Sequence, residues 1–270
     1  MALSILNNIA SISAQNQVNI TAAGLQRTLF RLASGSRINS GADDAAGLAI
    51  ADGLRANVSA LSQSARNAND GIGNLQVADG AYGQVSNLLN RAITLATQAS
   101  TGTVSNAQRT ALDAEYTAIK AEIDRIGTNT TFNGSSVFTA STTSIFLSDG
   151  GSNSTITSTV GTLSSTGLSL STDLTSSTNA TTALGQINTA IASIASNRGS
   201  VGAVINRLQA AVNVVNNQVQ NLTAAEDGIR AADIAQEVAN LTRFSILNQT
   251  GIAALAQANS QQQSVLSLLR

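Results

Sequence analysis

The chain has 270 residues, a formal net charge of −1, 43% hydrophobic residues and 11% charged residues. It lacks Pro, Cys, His and Trp, which removes disulfide, thiolate and imidazole chemistry and the commonest metal ligands. The weak net charge argues against nucleic acid, which selects a basic face, and no run of 18 apolar residues is present to span a membrane; neither an enzyme nor a cofactor is expected.

Taken from the N-terminus, Met1-Ala-Leu-Ser-Ile-Leu-Asn-Asn has no basic n-region and no long apolar h-region, so no cleavable signal peptide is expected. Ile5, Ile9 and Ile12 form a short helical stripe, and Leu25, Leu29 and Leu32 form another. Within Ser40-Gly-Ala-Asp-Asp-Ala-Ala-Gly, the pair Asp43-Asp44 reads as a helix start, where carboxylates accept backbone N–H bonds and suit the dipole. The run lacks the glycine-rich pattern with lysine that cradles phosphate. Arg66, Asn67, Asn69 and Asp70 lie on a polar helical stretch that is either a solvated face or a face against another helix.

Leu75, Ala78, Tyr82, Val85, Leu89, Ala92 and Ala96 alternate by three and four, as do Leu112, Tyr116, Ile119, Ile123 and Ile126. Ser100-Thr-Gly-Thr-Val-Ser between them reads as a turn, and Gly127-Thr-Asn-Thr-Thr-Phe-Asn-Gly ends the second stretch. From 135 to 182 the chain is rich in Ser and Thr. Two alternating runs, Ser144-Ile-Phe-Leu and Ser154-Thr-Ile-Thr-Ser-Thr-Val, flank a turn signal at Asp149-Gly-Gly-Ser-Asn and predict a small β-hairpin. The alternative is a disordered Ser/Thr linker.

The strongest pattern follows: Leu184, Ile187, Ile191, Ile194, Arg198, Val201, Ile205, Leu208, Val212, Val215, Val219 and Leu222. It is a heptad seam with only Arg198 out of character. At about 1.5 Å per residue it predicts a helix roughly 60 Å long, which needs partner helices to bury its stripe. The first half of the chain supplies them, so the expected fold is mainly α, a long antiparallel helical bundle built from both chain halves with a hairpin in the middle. Near the C-terminus Ile234, Val238, Leu241, Ser245, Asn248, Ile252 and Leu255 keep the 3.5 spacing, and Leu266 and Leu269 resume it. Asn and Ser in that seam leave both ends marginal as isolated helices.

Two stretches carry a family resemblance. One is Arg31-Leu-Ala-Ser-Gly-Ser-Arg-Ile-Asn-Ser-Gly-Ala-Asp-Asp-Ala-Ala-Gly-Leu-Ala-Ile with Ser64-Ala-Arg-Asn-Ala-Asn-Asp-Gly-Ile. The other is Ala224-Ala-Glu-Asp-Gly-Ile-Arg-Ala-Ala-Asp-Ile-Ala with Val265-Leu-Ser-Leu-Leu-Arg. Together, in this order and around a variable middle, they resemble bacterial flagellin in a short form. The resemblance implies a secreted, extracellular structural subunit of the flagellar filament that polymerises with itself. It implies paired terminal helices, residues 1–42 and 226–270, in the filament's inner tube. Residues 43–134 and 183–225 then form the helical rod of the outer tube, and 135–182 the short outward segment.

It further implies subunit contacts through Ile5, Ile9, Ile12, Leu29, Leu32, Asn39, Asp43, Asp44, Arg66, Asn67, Asn69, Asp70, Ile234, Val238, Leu241, Ile252, Leu255, Leu266 and Leu269. The partners it implies are an export chaperone at about 226–270, the filament cap and hook–filament junction proteins, and a vertebrate innate receptor. Arg91, Leu95 and Glu115 match the family's receptor contacts, whereas Ile93 and Thr94 depart from residue types common in recognised relatives, so weakened recognition is expected. Another axial protein of the same organelle, such as the hook–filament junction protein, and a needle or tail coiled-coil protein are the alternative readings. A metalloprotease insert of the His-Glu-x-x-His kind is excluded by the absence of His.

Overall fold

A computed structural model describes residues 8–139, 142–148 and 155–268. In chain order the elements are α1 (Ile9–Ser34), α2 (Ala45–Ser100), α3 (Asn106–Asn129), β1 (Thr131–Phe132), β2 (Ser135–Ser136), β3 (Thr142–Phe146), β4 (Thr155–Thr159), α4 (Ser177–Arg230) and α5 (Ile234–Leu268). They fall into two compact units, Met1–Ala56 with Leu222–Arg270, and Asn57–Asn221.

In the second unit the expected seams are the core. Leu75, Ala78, Tyr82, Val85, Leu89, Ala92 and Ala96 of α2 are all buried, as are Tyr116, Ile119 and Ile123 of α3. On α4 the inner stripe runs Ala180, Ala183, Ile187, Ala190, Ile194, Val201, Leu208 and Val215. Ala183 and Ala190 lie in this buried stripe, and Leu184 and Ile191, half-buried, pack against the core beside them. Small residues on the axis let the helices approach closely, while the branched neighbours seal the flank. Arg198, the odd member of the seam, is exposed and forms a bidentate pair with Asp79 of α2 at 2.8 and 3.2 Å.

The turn between α2 and α3 is held from both sides. Ser105 and Gln108 form a capping box at the start of α3. The buried Arg109 guanidinium donates to the carbonyls of Ala99 and Thr101, two acceptors at the end of α2, each at 2.8 Å. Tyr116 is fully buried beneath Lys120, whose ammonium lies 4.8 Å from the ring centroid. Burial, reinforced by the Asp113 charge, pushes its phenol up to about 12.

The middle segment is ordered where it is described, which settles the choice between hairpin and linker. β3 pairs antiparallel with β4, from Thr142 opposite Thr159 to Phe146 opposite Thr155. The turn expected at Asp149-Gly-Gly-Ser-Asn lies outside the described residues. A second, smaller hairpin, β1–β2, was not anticipated: Asn133 (φ 50°) and Gly134 (φ 76°) make its two-residue turn. The Asn-Gly signal sat inside what reads as a helix terminator.

Residues 160–176 form no strand, yet Leu163, Leu168, Leu170 and Leu174 are buried in the same core. Two carboxylates of α3 tie this wrap down. Asp124 accepts from the Ser165 N–H and hydroxyl at 2.7 and 2.8 Å, and Asp113 from the Leu174 N–H at 2.8 Å. Leucines spaced irregularly in a Ser/Thr background carry no period, so sequence could not place them.

Candidate interaction surface

The first unit is built on the α1–α5 pair, which carries apolar side chains both in its seam and on its outward side. The buried or half-buried positions of α1 run Ser11, Ala14, Val18, Thr21, Leu25, Thr28 and Leu32. Those of α5 run Glu237, Leu241, Phe244, Asn248, Gly251, Leu255 and Ala258. Much of this seam is polar. Thr21 makes its burial tolerable by donating its hydroxyl to the carbonyls of Gln17 and Val18. Asn8 caps α1 by accepting from the Ser11 N–H and reaches across to the Ala258 carbonyl at 3.1 Å.

Register is set by two holes. The Phe244 ring covers Gly24, where a Cβ would come within 2.7 Å of it, and Val18 covers Gly251 at 2.8 Å. That register turns part of the expected stripes outward. Ile9 is 72% exposed, Ile12 56%, Leu29 47%, Ile234 50%, Val238 45% and Ile252 53%. Ile20, Phe30, Ile246 and Leu247 join them. Leu32, Leu241 and Leu255 face the seam instead. Ile5 and Leu269 lie outside the described residues, as does the Leu266 side chain.

Between α1 and α2, Gly35 ends α1 in a left-handed conformation (φ 68°). Ser36 bridges to Ala231, and Arg37 donates to the Arg230 and Ile229 carbonyls. Asn39 donates to the Ser36 carbonyl at 2.8 Å. The acid pair then divides its work. Asp44 caps α2 by accepting from the Gly47 N–H at 2.9 Å. Asp43 accepts from the Ser40 hydroxyl and from the N–H groups of Asn39 and Ser40, and it also faces Arg31 at 3.6 Å.

The Ser40 hydroxyl first, then the Asn39 N–H, hold the Asp43 carboxyl below the usual range. Glu115 beside Arg91, and Glu122 beside Arg125, are lowered in the same way. A lowered folded pKa adds stability that is present above the ordinary carboxylate value and lost as pH falls through the lowered one. The melting temperature of the monomer is therefore expected to hold from neutral pH to about 5 and to drop below about 4. Thermal unfolding across that range checks it, and a flat profile down to about pH 2 would contradict it.

In the second unit, Arg66 is held by the Gln63 amide oxygen, and Asn67 accepts from Gln63 Nε2 at 2.9 Å and reaches the Phe146 carbonyl at 3.5 Å. Ile145 lies on Gly71, and the Ser64 hydroxyl donates to the Ser148 carbonyl. The polar stretch of α2 is thus where β3 docks within one copy. Asn69 lines a shallow hollow of about 280 Å³ with Ile72, Gln209, Val212 and Asn213, while Asp70 is exposed. Arg91 and Glu115 form a bidentate pair at 2.7 and 3.1 Å, and Leu95 is buried in the core. Sequence reasoning missed Gly24, Phe244 and the Arg31–Glu237 contact. Arg31 and Glu237 stood in the sequence only as two charges beside the apolar stripes, and nothing there pointed to Gly24 or Phe244.

Among the described residues no cluster of acids has metal-binding geometry, and no helix is long and apolar enough to cross a membrane. What the chain presents instead is an extended outward apolar face on paired helices. Comparison with known proteins agrees with that picture. Residues 5–143 match the bacterial flagellin N-terminal helical region and residues 184–269 the bacterial flagellin C-terminal helical region. The chain is 37% identical to a flagellin of Halalkalibacterium halodurans over 98% of both chains, and 33% identical to a flagellin of Bacillus subtilis over 98% of this chain and 99% of that one. The crystal structure of Bacillus cereus flagellin superposes with a TM-score of 0.50 at 34% identity, covering 60% of this chain and 94% of the other. With both helical regions matched and such relatives along nearly its whole length, the chain belongs to the bacterial flagellins, the non-enzymatic structural subunits of the extracellular flagellar filament.

Proposed function

We propose that the outward face of α1 and α5 is the surface through which copies of this flagellin polymerise, and that ordering of the two helices is coupled to assembly. The observation that carries this is the apolar surface left outside the pair: Ile9, Ile12, Phe30, Ile234, Ile246 and Ile252 are exposed, while the seam itself mixes leucines and Phe244 with Ser11, Thr21, Thr28 and Asn248. Burial against neighbours recovers about 25 cal/mol per Å² of apolar surface, against roughly 1–2 kcal/mol of backbone entropy per ordered residue. Several neighbours must therefore engage together, and head-to-tail contacts that do not close give a helical polymer.

On this reading Ile5, Ile9, Ile12, Leu29, Ile234, Val238, Ile252, Leu266 and Leu269 meet neighbouring copies in the inner tube. Leu32, Leu241 and Leu255 hold the pair together, and Asn39, Asp43 and Asp44 shape the contact next to it. Residues 1–42 and 226–270 form the inner-tube domain, 43–134 and 183–225 the rod, and 135–182 faces outward. Arg66, Asn67, Asn69 and Asp70 contribute to rod contacts. The same C-terminal face, exposed before assembly, is what an export chaperone covers, and the filament cap and hook–filament junction proteins meet it at the ends of the polymer. Arg91, Leu95 and Glu115 would serve an innate receptor weakly, since Leu95 is buried and the two charges satisfy each other.

Ile252→Asp tests the surface. Ile252 is 53% exposed, so the monomer's melting temperature is expected to stay within about 2 °C of wild type, as for a surface change of under 0.5 kcal/mol. Elongation from filament seeds, followed by light scattering and electron microscopy, is expected to stop. Growth at the wild-type rate would remove this face from the interface.

A further inference from the structure

The carboxylate of Glu237 is a group whose chemistry a single copy leaves incomplete. Glu237 lies in the first turn of α5 and is 8% exposed. Its Oε1 is 3.5 Å from Arg31, and its Oε2 has no hydrogen-bond partner among the described residues. Arg31 reaches Asp43 at 3.6 Å, and its Nε is likewise without a partner among them. Charge-assisted N–H···O⁻ bonds close to about 2.7–2.9 Å, so both contacts are loose. Two carboxylates around one guanidinium also leave the cluster with one negative charge in excess. A buried oxygen without a donor is costly, and this one sits on helices whose adjacent residues Phe30, Ile234 and Val238 are exposed and apolar.

We propose that an arginine guanidinium from a second copy of this chain docks on Glu237 and Asp43 as the filament forms, so that the cluster is a charge lock between subunits. The proposal rests on the self-assembly reading above and names a polar contact within it. A small rotation of Arg31, which is held at neither end by a short bond, opens the site. The composition narrows the donor. Lys120 is the sole lysine and lies over Tyr116. Arg91, Arg109, Arg125 and Arg198 are engaged within one copy, and Arg207, exposed and without a partner among the described residues, belongs to the second unit rather than to the helices that carry the apolar surface. In the first unit Arg27, Arg55 and Arg243 are exposed and enter no ion pair or hydrogen bond among the described residues. Arg27 and Arg243 ride on the two helices that carry the apolar face. A guanidinium suits the task because its fork can engage both carboxylates at once.

Seeded elongation of the full chain gives a critical concentration for each variant. Wild type sets the reference, and its failure to elongate would overturn the self-assembly reading itself. Glu237→Gln keeps the side chain's size and removes its charge. It is expected to raise the critical concentration roughly thirtyfold or more, as loss of a buried charge partner does. Arg27→Gln or Arg243→Gln is expected to give a similar rise, and the corresponding double variant with E237Q should be no worse than either single. Monomer melting measured alongside separates this from a loss of folding. Should E237Q not fold, Asp43→Asn replaces it in the same cycle, because the arginine variants disturb no contact within one copy. An unchanged critical concentration for E237Q, with wild type elongating, means that water serves the free oxygen and overturns the charge lock. So does strict additivity of E237Q with Arg27→Gln, Arg55→Gln and Arg243→Gln alike.

Discussion

A chain ending at Ala225 is expected to remain a soluble monomer and to add to no filament seed at any accessible concentration. The truncation removes α5 whole, and α1 loses every contact that defines it: the Phe244 ring over Gly24, Gly251 beneath Val18, and the Ala258 carbonyl that Asn8 reaches. What is left of α1 is 26 residues whose seam, interrupted by Ser11, Thr21 and Thr28, has lost its partner, a helix of marginal stability alone. Far-UV circular dichroism should therefore fall by more than the 35 residues of α5 and the residues of α4 beyond Ala225 account for. The second unit keeps its core, because all its buried members lie between Leu61 and Val215, and its melting transition should survive. Filaments of normal appearance from this chain would end the view that its two ends assemble it.

Gly127→Ala is expected to cost about 1–3 kcal/mol, although alanine in a helix interior ordinarily stabilises by about 1 kcal/mol. Gly127 is in the last turns of α3, directly beneath the Leu163 carbonyl, and a Cβ there would overlap that oxygen. The obstacle is backbone, which cannot rotate away as a side-chain tip can. Relief requires lifting Leu163 and with it the Ser165 bonds to Asp124. Gly80→Ala and Gly83→Ala are the internal comparison. They lie on α2 with nothing within 4 Å of the added carbon, and each should gain roughly 0.4–1 kcal/mol. Urea unfolding of the three variants decides it, and a Gly127→Ala midpoint at or above wild type would show that the wrap does not press on α3.

The contrast between these two experiments follows what was legible in the sequence. The rod seams were readable because burial at a period of 3.5 leaves a regular mark, and Leu75 through Ala96 and Tyr116 through Ile123 lie where that mark placed them. The hairpin was readable from alternation at Ser144-Ile-Phe-Leu. The wrap over α3 was not, since its leucines obey no period and its anchors are carboxylates of a distant helix. The terminal helices were half legible. Spacing found both stripes, but which side of each faced in depended on Gly24 and Gly251, and a glycine announces a hole only once the ring that fills it is known. For the same reason Glu237 looked like an ordinary first-turn acid. Its burial comes from α1, more than two hundred residues away in the chain.

The outward side of the α1–α5 pair has a consequence for the molecule before it finds a filament. With Ile9, Ile12, Phe30 and Ile252 exposed to water, a free copy carries apolar area that an air or lipid boundary would cover as a neighbouring copy does.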